Sequence, residues 1–351
     1  MKRLASLRSS YPTSQRIVST VLLTVIAVGI TFTLTALDDS KLAGGAAIAI
    51  VIVGLSWLIG WSGQVSIGNS GFMAIGAYAT AIWANHHAST PIVLTLLLAT
   101  TCGAVGGLVL ALPATRLRGP YLAGLTLAFS FAITPLALNF PSFTGGSGGL
   151  FLNFLSAPNW FVRLFSGSQA LIHANAQWSA DVAIVVAAVA FFFMANLFHS
   201  RTGRAMRLIR DNDVAAELTG VNLQRTRTLA FAISAAYAGL GGSLLTLLNG
   251  SVTPQTYSLT LSIILLTLMV LGGIGTLSGA IIGGLIYSYS DNLVSIINKV
   301  TGINPASTFG ANLKGIFFGV LLILTMLLAP RGLAGVGERV KALVKRPARN
   351  S

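Results

Sequence analysis

Runs of roughly twenty apolar residues recur along this chain, parted by short polar segments, and that recurrence leaves few folds open. In hydrocarbon the backbone must satisfy its own hydrogen bonds, so each run reads as a spanning helix. Only 9% of the 351 residues are charged, where a soluble domain carries about 25%. The 38 glycines fit the same class, because small residues let membrane helices approach closely. The expected fold is an all-α polytopic membrane protein of about ten transmembrane helices. The runs place them at 17–37, 42–60, 70–85, 91–113, 120–140, 181–199, 229–249, 258–273, 279–298 and 311–329.

Charge sets the orientation. With the N-terminus inside, cytoplasmic segments hold 18 of the 22 Lys and Arg residues, the positive-inside asymmetry. A basic cytoplasmic N-terminus (1–16), a transmembrane domain (17–330) and a basic cytoplasmic tail (331–351) follow. The tail suits anionic lipid. The long outer loop is 141–180, with Trp160 and Trp178 near the interface. The first apolar run is too long for a signal peptide, and no A-x-A site follows it.

Catalytic constellations are missing from the sequence. It has no HExxH, no paired intramembrane aspartates and no Walker A loop. Cys102 is a lone filler in an apolar run. His86 and His87 are adjacent and share no helix face, and Asp291 falls near the outer end of its helix. The chain therefore does not read as an enzyme. It needs no bound cofactor and no nucleic acid, and any ATP and Mg would be used by a separate subunit.

Three glycine-rich segments interrupt the hydropathy. Residues 57–80, WLIGWSGQVSIGNSGFMAIGAYAT, mix glycine with amides and hydroxyls. Broken helices are tolerated at membrane depth only where they line a cavity or are buried in protein, and in transporters such breaks often form the substrate path. Gly63, Gln64, Ser66, Gly68, Asn69 and Gly71 are the candidate path, joined by the helix-breaking Pro254 in 250–258. Residues 270–292 carry a tight GGIG turn and a small-xxx-small face, read as helix packing. TGGSGGL, 144–150, is an outer turn or loop open to docking or gating.

The densest charge lies at 200–228, SRTGRAMRLIRDNDVAAELTGVNLQRTRT, inside by the topology count. Met206 and Ile209 share one helix face with arginines opposite. Asp213 can N-cap a second short helix, Val214 to Thr219, with Gly220 at its C′ position. A lipid-lying helix gains nothing from Asp211, Asp213 and Glu217, so the mixed signs favour a rigid knob for a partner's groove. Arg204, Met206, Arg207, Ile209, Arg210, Asp213, Glu217 and Gly220 are its candidate residues.

GRAMRLIRDNDVAAELTGVN, then LAFAISAAYAGLGGSL, then SVTPQTYSLTLSIILLTLMVLGGIGTLSGAIIGG resemble the LivM-type permeases of branched-chain amino-acid ABC importers. WSGQVSIGNSGFMAIGAY and TGGSGGL resemble the same family's early signature and outer loop. The resemblance spans roughly residues 45–330. It implies the ABC importer permease fold, a second permease subunit of the LivH type, two ABC ATPase subunits and an extracytoplasmic substrate-binding protein. It places the chain in a bacterial inner membrane and makes residues 201–221 the coupling helices in the ATPase groove. Urea or short-chain amide import, and a secondary transporter acting alone, are the alternative functions.

Overall fold

A computed structural model describes residues 13–87, 91–114, 117, 119–152, 155–163, 170–302, 307–328 and 332–333. The basic N-terminus as far as residue 12, the tail apart from 332–333, Arg116 and Arg118 lie outside them. The chain is helical nearly throughout. In order it forms α1 (Thr13–Thr31), α2 (Ala36–Ser56) prolonged by a π-helical turn (Trp57–Trp61), α3 (Asn69–His86), α4 (Ile92–Ala114) and α5 (Pro120–Asn139). After the short α6 (Pro141–Thr144) and α7 (Asn159–Val162) come α8 (Ala170–His199), α9 (Arg201–Asp211), α10 (Asp213–Leu218) and α11 (Leu223–Asn249). The last three are α12 (Leu259–Gly272), α13 (Leu277–Thr301) and α14 (Thr308–Leu328). Two short strands, β1 (Leu150–Phe151) and β2 (Ser251–Val252), pair antiparallel, Leu150 opposite Val252.

A helix occupies each predicted interval, but among the described residues 6 helices are long and apolar enough to cross a bilayer on their own. These are α2 with its π-turn, α4, α5, α8, α11 and α13. Thr20–Thr31, Leu259–Gly272 and Leu313–Leu327 are apolar but short. Polar residues at both ends of α3, Asn69 and Ser70 against Asn85 and His86, dilute its hydropathy.

Two boundaries move. The first loop was expected around Asp38 and Asp39, yet α2 begins at Ala36 and contains both. Thr35 is the N-cap: the Asp38 amide donates to Thr35 Oγ1 at 3.4 Å, and that hydroxyl donates to Asp38 Oδ2 at 2.8 Å. Acids in a first turn stabilise the helix they were taken to end. The outer loop is also shorter than 141–180, because α8 starts at 170. Cys102 is half-buried rather than buried.

α2 and α11 form the core, with 78% and 72% of their apolar windows buried, against 22–28% for α4, α5, α8 and α13. Backbone meets backbone where α3, α4 and α11 cross. A Cβ on Gly76 would lie 2.5 Å from Gly239 Cα, and one on Gly103 would lie 3.0 Å from the same atom. The predicted small-residue face of α13 packs similarly: a Cβ on Gly279 would lie 2.7 Å from the Gly272 carbonyl oxygen.

Candidate coupling and path site

The 200–228 segment folds as two capped helices. Ser200 caps α9 by accepting from the Gly203 amide at 3.2 Å. Asn212, not Asp213, caps α10: its Oδ1 accepts from the Ala215 amide at 3.1 Å, leaving Asp213 in the first turn. Asn212 is extended (φ −162°), as an N-cap requires. Gly220 holds the predicted C′ position at φ +82°. Val221 N–H donates to the Ala216 carbonyl and Gly220 N–H to that of Glu217, a Schellman ending.

The apolar face of α9 points inward. Met206 and Ile209 are 0% and 3% exposed, so within this chain they anchor the helix rather than present it. Outward stand Arg204, Glu217 and the apolar Val214 and Leu218, the last 84% exposed. Arg204 donates to the His199 carbonyl at 3.0 Å. Asp213 pairs with Arg227 at 2.6 Å.

Arg207 and Arg210 reach towards the π-turn. Arg210 donates from Nη1 to the Gly60 carbonyl. Arg207 lies over the Trp61 ring, 4.3 Å from its centroid, and Trp61 stacks on Phe198 at 4.2 Å, nearly parallel at 2°. A cation over an aromatic face at a partly exposed site contributes about 0.5–1 kcal/mol. Trp61 Nε1 in turn donates to the Gly275 carbonyl at 3.1 Å, so the GGIG turn belongs to the same clasp. A π-turn lengthens the repeat and leaves carbonyls to be met from outside the helix.

From this clasp residues 62–68 run without helix into the fold. Gly63, at φ +71°, lies against Arg210. Gln64 Nε2 donates to Ser62 Oγ at 3.0 Å and to the Arg227 carbonyl at 3.4 Å. A cavity of about 350 Å³ opens here, bounded by Ser62, Gly63, Gln64, Arg210, Asp213 and Arg227. Farther on, Ser66 Oγ accepts from the Gly68 amide and Thr126 Oγ1 from the Ile67 amide. Gly68 and Gly71 press on α5: a Cβ on Gly71 would sit 2.6 Å from Phe129.

The second break enters from the other side. Gly250 ends α11 in a left-handed turn, β2 pairs with β1, and a 3₁₀ turn, Pro254–Tyr257, leads into α12. The TGGSGGL segment is tightly turned, with Gly145, Gly146 and Gly149 all at positive φ. The buried Pro254 carbonyl accepts from Thr134 of α5 at 3.5 Å. Tyr257 Oη bonds Thr246 Oγ1 at 3.0 Å and the Gly242 carbonyl at 3.3 Å.

Between the breaks three serine hydroxyls close a ring. Ser70 Oγ is 3.0 Å from Ser130 Oγ and 2.7 Å from Ser262 Oγ, and Ser130 Oγ is 3.0 Å from Ser262 Oγ. The Ser70 amide also donates to Ser262 Oγ at 2.9 Å. Beside Ser70, Asn69 is 2% exposed and neither amide atom has a hydrogen-bond partner.

The structure thus divides the predicted residues. Gly63 and Gln64 join Arg210 and Asp213 at the coupling end; Gly68, Asn69 and Gly71 lie along α5; Pro254 belongs to the opposite break. Sequence reasoning missed Trp61 and Phe198 as the seat of Arg207. It also missed Thr126, Ser130 and Ser262, because a single hydroxyl in an apolar run gives no periodic signal. Asp291 pairs with Lys314 at 2.7 Å and is exposed. His87 stacks on Trp83 at 4.2 Å.

Comparison with known proteins adds an independent line. The family described as "branched-chain amino acid transport system / permease component" matches residues 40–326. The chain is 29% identical over 303 residues to the high-affinity branched-chain amino acid transport system permease protein LivM of Escherichia coli, covering 81% of this chain and 67% of that one. It is 32% identical over 203 residues to the LivH protein of the same organism, covering 57% and 60%. A probable LivM of Methanocaldococcus jannaschii is 24% identical over 274 residues, 75% of each chain. No solved structure matches significantly.

Proposed function

The chain belongs to the branched-chain amino acid transport permease family, and from that membership we propose that it is one permease half of an ATP-driven importer. It moves branched-chain amino acids inward by alternating access. Its relatives are transport subunits, not enzymes, and their names favour branched-chain amino acids over urea or short-chain amides. Similarity to both LivM and LivH proteins supports a second permease subunit as partner. Two ABC ATPase subunits, holding ATP and Mg, and an outer binding protein complete the assembly. Lipid surrounds a ten-span, inner-membrane body with both termini cytoplasmic.

One observation supports this division of labour: Arg210 reaches from α9 to the Gly60 carbonyl. A push on the outer face of α9 and α10 moves the π-turn and the 62–68 segment with it. Contact with the ATPase falls to Arg204, Val214, Glu217 and Leu218. Transmission falls to Arg207 and Arg210, with Met206 and Ile209 keeping the helix seated.

Reconstitution with the partner chains in proteoliposomes tests the proposal. ATP-dependent leucine uptake is expected, and robust uptake without any ATPase overturns it. Val214→Asp with Leu218→Asp is expected to strip the ATPase from the purified complex while the permease stays folded. Unchanged co-purification removes α10 from the docking face.

A further inference from the structure

We propose that Asn69, Ser70 and Ser262, closed off here by Ser130, form a midplane site for the zwitterionic head group of the transported solute. The inference rests on the permease function and assigns a site within it.

Depth comes first. Ser130 lies about ten residues into α5 and Ser262 about ten residues before the end of α12, each ~15 Å at 1.5 Å per residue. That is half of a hydrocarbon core of about 30 Å. α3 and α12 both begin near this level, so the positive ends of two helices, 18 and 14 residues long, converge on the ring. Half-helix N-termini at the midplane favour a carboxylate.

Asn69 supplies the second, independent observation. A buried amide normally finds partners, and leaving it bare costs about 1–3 kcal/mol. Here both Nδ2 and Oδ1 are bare at 2% exposure. One offers a donor and the other an acceptor, as a carboxylate and an ammonium on one molecule require. No Asp, Glu, Lys or Arg occurs in α3, α5 or α12. A solute with net charge would meet no counter-ion, whereas a zwitterion needs only dipoles.

The ring is closed in this structure, since Gly68 and Gly71 press on Thr126 and Phe129 of α5. Withdrawing α5 removes Ser130 from the ring; the Ser70 O–H and one lone pair of Ser262 Oγ lose their partner, while Ser262 still donates to Ser70 Oγ at 2.7 Å. The carboxylate accepts from the Ser70 hydroxyl and from Asn69 Nδ2, and the ammonium donates to Asn69 Oδ1 and to the lone pair of Ser262 Oγ that Ser130 vacates. Phe129 and Ile133, which face Gly71, are left to meet an apolar side chain.

The experiment uses the complete transporter in proteoliposomes with radiolabelled leucine and the loaded binding protein. Asn69→Ala, and separately Ser130→Ala with Ser262→Ala, are each expected to lower uptake about tenfold, the worth of one or two hydrogen bonds. ATPase stimulation by the loaded binding protein stays intact. Wild-type uptake in both variants overturns the site. Should Asn69→Ala not assemble, the double serine variant, which removes only hydroxyls, decides alone; failure of both to assemble assigns the ring to folding and overturns the site too. A wild-type complex that imports no leucine refutes the permease assignment instead, whatever the variants do.

Discussion

The inner break at 57–68 and the outer break at 250–258 approach the same ring of hydroxyls, yet they are fastened differently. Long side chains hold the inner one: Arg210 on the Gly60 carbonyl, Arg207 over Trp61, and Trp61 on Phe198. Each comes from a residue beside or within the exposed coupling segment. Backbone holds the outer one, through β1 against β2, with a buried tyrosine behind it. Side-chain grips can be released and remade at small cost, while paired backbone anchored by the buried Val252 and Tyr257 resists opening. The inner break is thus suited to being moved and the outer one to staying in place while it does.

Gly149→Val strikes the outer break hardest. At φ +73° a side chain is strained, and its Cβ would meet the Val252 carbonyl and lie 3.0 Å from Thr253 Cα. A loss of about 3 kcal/mol or more is expected, seen as a lower melting temperature of the purified complex. Wild-type melting would erase the contrast. Arg210→Ala is next: leucine uptake falls about tenfold, as for loss of a charged hydrogen bond, while the ATPase still co-purifies. Loss of the ATPase as well would make Arg210 a docking residue. Tyr257→Phe removes two buried hydrogen bonds and is expected to cost ~1–2 kcal/mol in thermal unfolding, with uptake retained. Asp213→Asn breaks a partly exposed ion pair and should change stability by less than about 1 kcal/mol. A larger loss would show that the inner break, too, depends on a rigid fastening.

Local patterns were readable before the structure. The α9–α10 pair was legible because amphipathic spacing, Gly220 and a capping amide lie within a few residues of one another. Its details were not: Asn212 takes the cap because its extended backbone stands one residue before the turn. The Met206 and Ile209 face looked available because nothing local says what covers it. The clasp joins Gly60 to Arg210 across 150 positions, a distance at which hydropathy and propensity carry no information. Ser130 and Ser262 were hidden similarly: each is one small polar residue in an apolar helix, and only the meeting of three helices gives them a common partner. At α2 the apolar runs leave Asp38 and Asp39 between two spans, whereas with Thr35 they start a helix.

The glycine crossing of α3, α4 and α11 has a mechanical consequence. Gly239 divides α11 unequally, with roughly 24 Å of helix on the side of α10 and ~15 Å on the side of β2 at 1.5 Å per residue. Three smooth backbones touching there make a bearing with nothing to shear, and the helix through it is a lever with unequal arms. A tilt of about 5° carries the Leu223 tip ~2 Å and the Asn249 tip ~1.3 Å the opposite way, by that same rise per residue. The outer break therefore receives only the reduced part of any travel at the other end, small enough for its paired backbone to stay closed while the inner break moves.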